Sequence, residues 1–125
     1  MKRDWDVIRK ILTRLEEHNL DQGSLRLSDF PKNEFASIAY NMELLVEAKI
    51  VSGQMAGEIT LAPQDFFAER LTWEGHEFLD SIRDDSIWKK IKKEFSQNSI
   101  SMTFDLVKKV SSGIAISLLK SKINS

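Results

Sequence analysis

The chain has 125 residues, of which 42% are hydrophobic and 30% are charged, and its formal net charge is −1. This length and composition favour one globular domain with a modest core. The absence of cysteine excludes disulfides, thiolate metal sites and cysteine nucleophiles. Charged residues open the chain in place of an apolar signal run, and nothing approaches a membrane span, so we expect a cytoplasmic protein.

Charge is distributed unevenly along the chain. Residues 51–85 carry 2 basic and 8 acidic side chains, whereas residues 86–125 carry 8 basic and 2 acidic ones. The lack of a basic excess over the whole chain argues against nucleic-acid binding, but the last third keeps a local one. The two oppositely charged segments are also suited to attract each other, within a subunit or between subunits.

The first predicted helix runs from Arg3 or Asp4 to about His18. Its apolar residues recur at intervals of three and four, which makes one buried stripe: Trp5, Ile8, Ile11, Leu12 and Leu15. We expect His18 to complement the dipole at the helix end. A turn follows, then a short edge strand at 25–27. Residues 28–31 are too few for a full second helix, which we expect to be reduced or fused to the next helix.

The middle of the chain predicts a helix, an abrupt stop and a strand. Ile38, Met42 and Leu45 share one face of a helix that begins at Lys32 or Asn33 and ends at Ala48, and a strand starts at Ile50. This pattern resembles the third helix of arsenic-repressor-type winged helix proteins. Lys49 stands where that family usually has glycine, so we expect a positive φ there.

A wing and two further helical segments complete the prediction. The wing has its tip at residues 52–54 and Pro63 in its connection, its return strand lies within 66–71, and no Lys or Arg occurs between Val51 and Glu69. Thr72 is the predicted N-cap of the next helix, which continues to about Phe95 with a kink or new cap at Ser86. A polar loop at 96–101 precedes a last helix from about 103 to 123.

Three segments are similar to a small bacterial family of unknown function found in phages and prophage regions. They are Met1–Leu12, Glu43–Ala48 and Leu71–Asp85, the last reading LTWEGHEFLDSIRDD. The resemblance implies a mobile-element origin and a winged helix-like fold, and it carries no established activity. We therefore predict an α+β, mainly helical fold: one domain over 1–125, with a winged helix-like core at 1–85 and a C-terminal helical extension at 86–125.

The middle helix supplies the first candidate DNA-binding residues, which are Lys32, Asn33, Ser37, Tyr40 and Asn41. Asparagine can bond adenine in a bidentate manner, and tyrosine can reach phosphate. Three flanking carboxylates, Glu34, Glu43 and Glu47, would be repelled by phosphates. The alternative is a scaffold helix whose exposed face is solvated or binds protein, and the sequence leaves both readings open.

A lysine-rich stretch supplies the second candidate set. Lys89, Lys92 and Lys93, together with Lys90, surround apolar residues that point inward at helical spacing. One interpretation is a phosphate-contacting surface, to which Lys108 and Lys109 would add. The simpler interpretation is an amphipathic helix with a solvated face.

His76, Asp80 and Asp84 are the best candidates for chemistry. They are four residues apart, and an imidazole with carboxylates can hold a metal or transfer protons. The spacing matches no known ligand motif, so a solvated acidic face is the better interpretation. No nucleophile or phosphate-loop motif occurs. We therefore expect no enzymatic activity, no catalytic or metal-binding residues and no cofactor.

The last helix carries more apolar residues than one packed stripe needs, which predicts a homodimer. The dimerisation residues would be Leu106, Val110, Ile114 and Leu118, and Ile116 and Leu119 lie partly off the stripe. A helix on a membrane surface is the weaker alternative, because the segment lacks Trp and has few Lys residues.

Taken together, these patterns predict a small regulatory protein of phage or prophage origin that binds double-stranded DNA through a winged helix. The alternative is an adaptor that keeps the fold but binds a protein partner in place of DNA. The sequence identifies neither the DNA target nor the partner.

Overall fold

The computed structural model describes residues 1–57 and 62–124. Its elements, in chain order, are α1 (Trp5–Glu17), α2 (Phe35–Glu47), β1 (Val51–Met55), β2 (Phe66–Leu71), α3 (Trp73–Ile82), α4 (Asp85–Gln97) and α5 (Phe104–Ile123). The predicted α+β, mainly helical fold is confirmed. The chain divides into two compact units, Met1–Leu79 and Asp80–Ser125. The single domain split at residue 85 stays a prediction.

Helix α1 has the predicted bounds and buried face. The Asp4 carboxylate caps it by accepting hydrogen bonds from the amides of Asp6 and Val7, at 3.0 and 3.2 Å. Its buried side chains are Ile8, Ile11, Leu12 and Leu15. The predicted stripe is therefore the face that α1 presents to the core.

Short 3-10 turns replace a regular second helix, as the sequence predicted. They cover Leu20–Gln22, Leu27–Asp29 and Lys32–Glu34. The predicted edge strand at 25–27 is reduced to one bridge, in which Leu25 and Ala68 exchange both backbone hydrogen bonds, at 2.8 and 3.0 Å. The bridge extends no further because Leu27 already begins a 3-10 turn.

Helix α2 ends in the predicted positive-φ turn. Lys49 has φ 60°, and its amide donates to the carbonyl of Val46 at 3.1 Å, while the Ile50 amide donates to that of Leu45 at 3.0 Å. These two bonds form a Schellman motif, which normally places glycine where Lys49 stands. The turn reverses the chain directly into β1.

Strands β1 and β2 form a two-stranded antiparallel sheet that pairs Val51 with Leu71 and Met55 with Phe66. A bulge lies between Ser52 and Gly53. A Cβ on Gly53 would lie 2.5 Å from the Phe67 carbonyl oxygen, so only glycine fits there. The predicted wing tip at 52–54 is wrong, because these residues belong to β1. The connection lies further on and includes residues 58–61, which fall outside the described part of the chain.

Helix α3 begins against the turn that follows α2. The Thr72 hydroxyl accepts from the Gly75 amide at 3.1 Å, which confirms the predicted N-cap, and it donates to the Lys49 carbonyl at 2.8 Å. A Cβ on Gly75 would lie 2.2 Å from the backbone oxygen of Ile50. Because Gly75 has no side chain, the first turn of α3 can lie this close to the backbone at Ile50.

In the second unit, α4 and α5 are joined by residues 98–103 and contact each other. The predicted cap at Ser86 is wrong by two residues, since the Asp84 carboxylate accepts from the Ile87 amide at 2.9 Å. Thr103 caps α5 by accepting from the Leu106 amide at 3.2 Å. The buried side chains are Ile82, Trp88, Ile91, Phe95 and Val107.

Candidate nucleic-acid interface

Three of the predicted DNA-binding residues of the first unit, Lys32, Asn33 and Tyr40, lie on the outward face of α2 or in the turn before it. Helix α2 buries Ile38, Ala39, Met42 and Leu45, so the opposite side faces out. Tyr40 is half-buried on that side, and Lys32 and Asn33 are exposed in the 3-10 turn leading into the helix. These three side chains lie in the N-terminal half of α2 or in the turn before it, the end with which a recognition helix contacts base edges.

The prediction that Asn41 contacts DNA is wrong, because its side chain cannot reach a base from its position. Its side chain is 0% exposed. Its Oδ1 accepts from the Asp4 amide at 2.9 Å, and its Nδ2 donates to the Ser37 carbonyl at 2.8 Å. Ser37 is itself half-buried beside it. Asn41 is therefore a structural residue whose polar groups are used inside the fold.

The Asn41 side chain tethers the N-terminal arm, residues 1–4, to α2. Arg3 in this arm places its guanidinium 4.5 Å from the centre of the Trp5 ring. Lys2 is exposed. The sequence reasoning missed the arm as part of the site, although two cations directly before a helix cap were a visible signal. The tether fixes the backbone of Asp4, the last residue of the arm, against α2.

A shallow cleft of about 340 Å³ lies along this face. Its walls come from three segments, namely the N-terminal arm, α2 and the residues leading into β2; they are Met1, Ala36, Ala39, Tyr40, Glu43, Ala62, Pro63 and Gln64. The Gln64 amide donates to the Ala56 carbonyl. This bond, with that from the Ala56 amide to the Asp65 carbonyl at 2.9 Å, closes the base of the β1–β2 connection.

Asp65 holds the same connection to the segment before α2. Its carboxylate pairs with Arg26 and accepts from the amides of Leu27 and Phe66, at 3.0 and 2.7 Å. Burial raises the pKa of Asp65, but the bonds from Arg26 and the two amides outweigh it and hold the pKa below its ordinary value. The Arg26 guanidinium also stacks on Phe67, 4.0 Å from the ring centre.

Carboxylates divide the α2 face electrostatically. Glu34 is paired with Lys10 at 2.5 Å, which offsets its charge. Glu43 and Glu47 are exposed on the C-terminal half. At 1.5 Å per residue, Glu43 and Glu47 lie about 15 and 21 Å along the axis from Asn33. Because Glu43 also lines the cleft beside Tyr40, the part suited to a polyanion is limited to the start of α2 and the turn before it.

Lys89, Lys92 and Lys93 belong to the other unit, on α4. Lys89 and Lys93 are exposed, and Lys92 lies 5.6 Å from the centre of the Trp88 ring. The cation–π contact leaves the ammonium group at the surface. These lysines remain a predicted phosphate-contacting set.

The acidic helix face differs from its predicted arrangement. Helix α3 ends at Ile82, so Asp84 lies beyond it and caps α4 instead. Asp80 pairs with Arg83 at 2.6 Å, and His76 Nδ1 lies 3.9 Å from the Glu16 carboxylate. Within residues 1–57 and 62–124, no group of three His, Cys, Asp or Glu side chains could hold a metal ion.

His18 lies at the C-terminal end of α1, where the sequence predicted it. Its ring Nε2 lies 2.9 Å from the Gly23 carbonyl oxygen, so the imidazole joins the end of α1 to the following turn.

The predicted dimerisation residues lie on α5. Val110 and Ile114 are half-buried, whereas Leu106 and Leu118 are exposed. Three of the four, Val110, Ile114 and Leu118, line one groove beside α4. None of the described helices is long and apolar enough to cross a membrane.

The fold defines a mainly helical α+β protein with a two-stranded sheet. Residues 2–101 match the family model described as Hypothetical protein (DUF2513), and the chain belongs to this family. A Haemophilus influenzae protein named "Uncharacterized protein" is 34% identical over 119 residues, which cover 95% of this chain and 99% of that protein. No solved structure matches the chain.

Proposed function

We propose that the chain is a small regulatory protein of winged helix type that binds double-stranded DNA. The observation that carries the proposal is the order and pairing of the first unit's elements. Helix α1 is followed by the Leu25 bridge, a reduced helical segment, α2 and the hairpin β1–β2. Leu25 pairs with β2, and β2 pairs with β1. A winged helix has this order, with the reading helix directly before the hairpin that forms the wing.

The chemistry of the proposed DNA surface supports the same function. Lys32 and Asn33 are exposed where α2 begins, and Lys2 is exposed in the N-terminal arm, whose Met1 lines the cleft beside Tyr40. Cations of this kind gain affinity by releasing counterions from the phosphates, while an exposed asparagine can discriminate a base. The proposed origin in a phage or prophage rests on the resemblance of three segments to proteins found there.

Selection of bound sequences from a random duplex pool tests this function. The wild-type chain should enrich a defined motif. Asn33→Ala should relax one position of it by about 1–3 kcal/mol, whereas Lys32→Gln should weaken binding to all sequences alike. The proposal would be refuted if the chain retained no DNA at low salt although circular dichroism showed that it was folded.

A protein-binding adaptor is the second candidate, and one observation favours it. Trp73 is 79% exposed at the start of α3, beside the exposed Glu74 and Glu77. An exposed tryptophan within acidic side chains fits a partner with basic and apolar groups, because tryptophan is enriched among the residues that dominate binding energy. The adaptor would give no retained DNA in the selection experiment.

A further inference from the structure

Helix α5 leaves much of its apolar surface uncovered in the single chain. Its buried residues are Val107 and Ser111, both in its first half. In its second half, Ile116, Leu119 and Ile123 are 52%, 59% and 78% exposed. A cluster of exposed aliphatic side chains on a regular helix indicates an interaction surface.

A groove lies between α4 and α5, on a different face of α5 from Ile116, Leu119 and Ile123. Its lining is mainly apolar or small on the α5 side and charged on the α4 side, and consists of Val110, Gly113, Ile114, Ser117, Leu118, Lys90 and Glu94. Its volume is about 370 Å³. A Cβ on Gly113 would meet no atom within 4 Å, so the floor of the groove is open. The groove is therefore shaped to receive side chains from another helix.

We propose that a second copy of this chain fills the groove, so that two α4–α5 hairpins form an antiparallel four-helix bundle. The short connection between α4 and α5 makes them antiparallel neighbours. A two-fold axis perpendicular to the helices then sets α4 against α4 and α5 against α5, both antiparallel. Such an interface uses the same patch on each subunit, as closed dimers require.

The two charged residues on the α4 side of the groove have opposite signs, so they can pair with the same two residues of a second copy. Lys90 and Glu94 lie one helical turn apart. In an antiparallel pair, Lys90 comes opposite Glu94 of the partner subunit, and Glu94 comes opposite Lys90 of the partner subunit. A parallel pair would oppose like charges. An anionic lipid surface would attract Lys90 but repel Glu94, so the pattern favours a second copy over a membrane.

The size of the surface is adequate for a dimer. A helix of 20 residues such as α5 is about 30 Å long, and two helices side by side are about 20 Å wide. Because α4 has 13 residues and is only about 20 Å long, the hairpin face has a projected area of about 500 Å², of the same order as the roughly 800 Å² per partner of a stable interface. The proposal does not depend on DNA binding.

Sedimentation equilibrium of the full chain tests the dimer through a charge-reversal cycle. The wild type should be a dimer at micromolar concentration. Lys90→Glu should raise the dimer Kd about fivefold or more, because two opposite-charge pairs become like-charge pairs. Lys90→Glu combined with Glu94→Lys should restore it to within about twofold. Lys89→Glu, the same charge change at an exposed position outside the groove lining, is the matched control and should leave Kd unchanged.

Two results would overturn the proposal. One is a wild-type monomer at high micromolar concentration. The other is a dimer that responds to Lys89→Glu as strongly as to Lys90→Glu, or that the double variant weakens more than Lys90→Glu alone does. The three positions changed, Lys89, Lys90 and Glu94, are exposed, so we expect folding to be preserved, and circular dichroism can verify it. DNA retention by the wild-type chain separates this outcome from the proposed function, since a wild-type monomer can still bind DNA.

Discussion

Replacing Asn41 by alanine should destabilise the fold and leave base preference intact. The substitution removes the bonds to the Asp4 amide and the Ser37 carbonyl, which measure 2.9 and 2.8 Å. Each is worth about 1 kcal/mol net, and the Asp4 amide is left without its acceptor. The expected loss is about 2–3 kcal/mol in the free energy of unfolding, or about 10 °C or more in Tm for a unit of this size.

Urea and thermal unfolding followed by circular dichroism measure this loss, and Asn33→Ala is the matched control. Asn33 is exposed, so its removal should change the unfolding free energy by less than about 0.5 kcal/mol. The two substitutions should thus have different effects: Asn41→Ala should lower the free energy of unfolding, and Asn33→Ala should change the base preference in DNA binding. An Asn41→Ala chain as stable as the wild type, but with altered base preference, would refute the structural role assigned to this side chain.

Three further substitutions test backbone and charge. Gly75→Ala should cost about 1–3 kcal/mol of stability by overpacking against Ile50, whereas Gly57→Ala, which meets no atom, should be tolerated in the same melt. Lys49→Gly should stabilise the chain by about 0.5–1 kcal/mol in urea, because glycine accepts its φ of 60° without strain; a loss would contradict the assigned turn. Asp65→Asn should lower stability at pH 7. Since the folded-state pKa of Asp65 is depressed, its contribution is present above pH 3.8 and lost as pH falls through the folded pKa, so the difference from wild type should vanish in acid; a constant difference would contradict this.

Local chemistry made much of the fold predictable. The apolar stripe of α1, the cap at Thr72 and the positive φ at Lys49 each follow from a few neighbouring residues, and the structure has all three. Contacts distant in sequence were not predictable. Asn41 is a polar residue on a helix, and its sequence neighbours do not indicate that it is buried. Its burial depends on the hydrogen bond from the Asp4 amide, 37 residues away.

The wing and the break between α3 and α4 show a second reason why the sequence prediction was inexact. In each place, the local sequence is compatible with more than one structure. Small residues at 52–54 are typical of a turn, but here Gly53 permits a bulge within β1. Asp84 and Ser86 are both good capping residues, and Asp84 is the cap while the Ser86 hydroxyl donates to its carboxylate. The sequence located these features to within a few residues, and packing decided between them.

A salt titration of duplex DNA binding tests the central claim most directly. Fluorescence anisotropy of a labelled random-sequence duplex should give an association constant whose logarithm falls linearly with the logarithm of salt concentration. Each phosphate contact contributes about 0.9 to that slope, so Lys2→Gln combined with Lys32→Gln should reduce it by about 1.8. Lys49→Gln, at the other end of α2, should leave it unchanged. No binding at low salt, or equal slopes for all variants, would contradict a DNA surface at the start of α2.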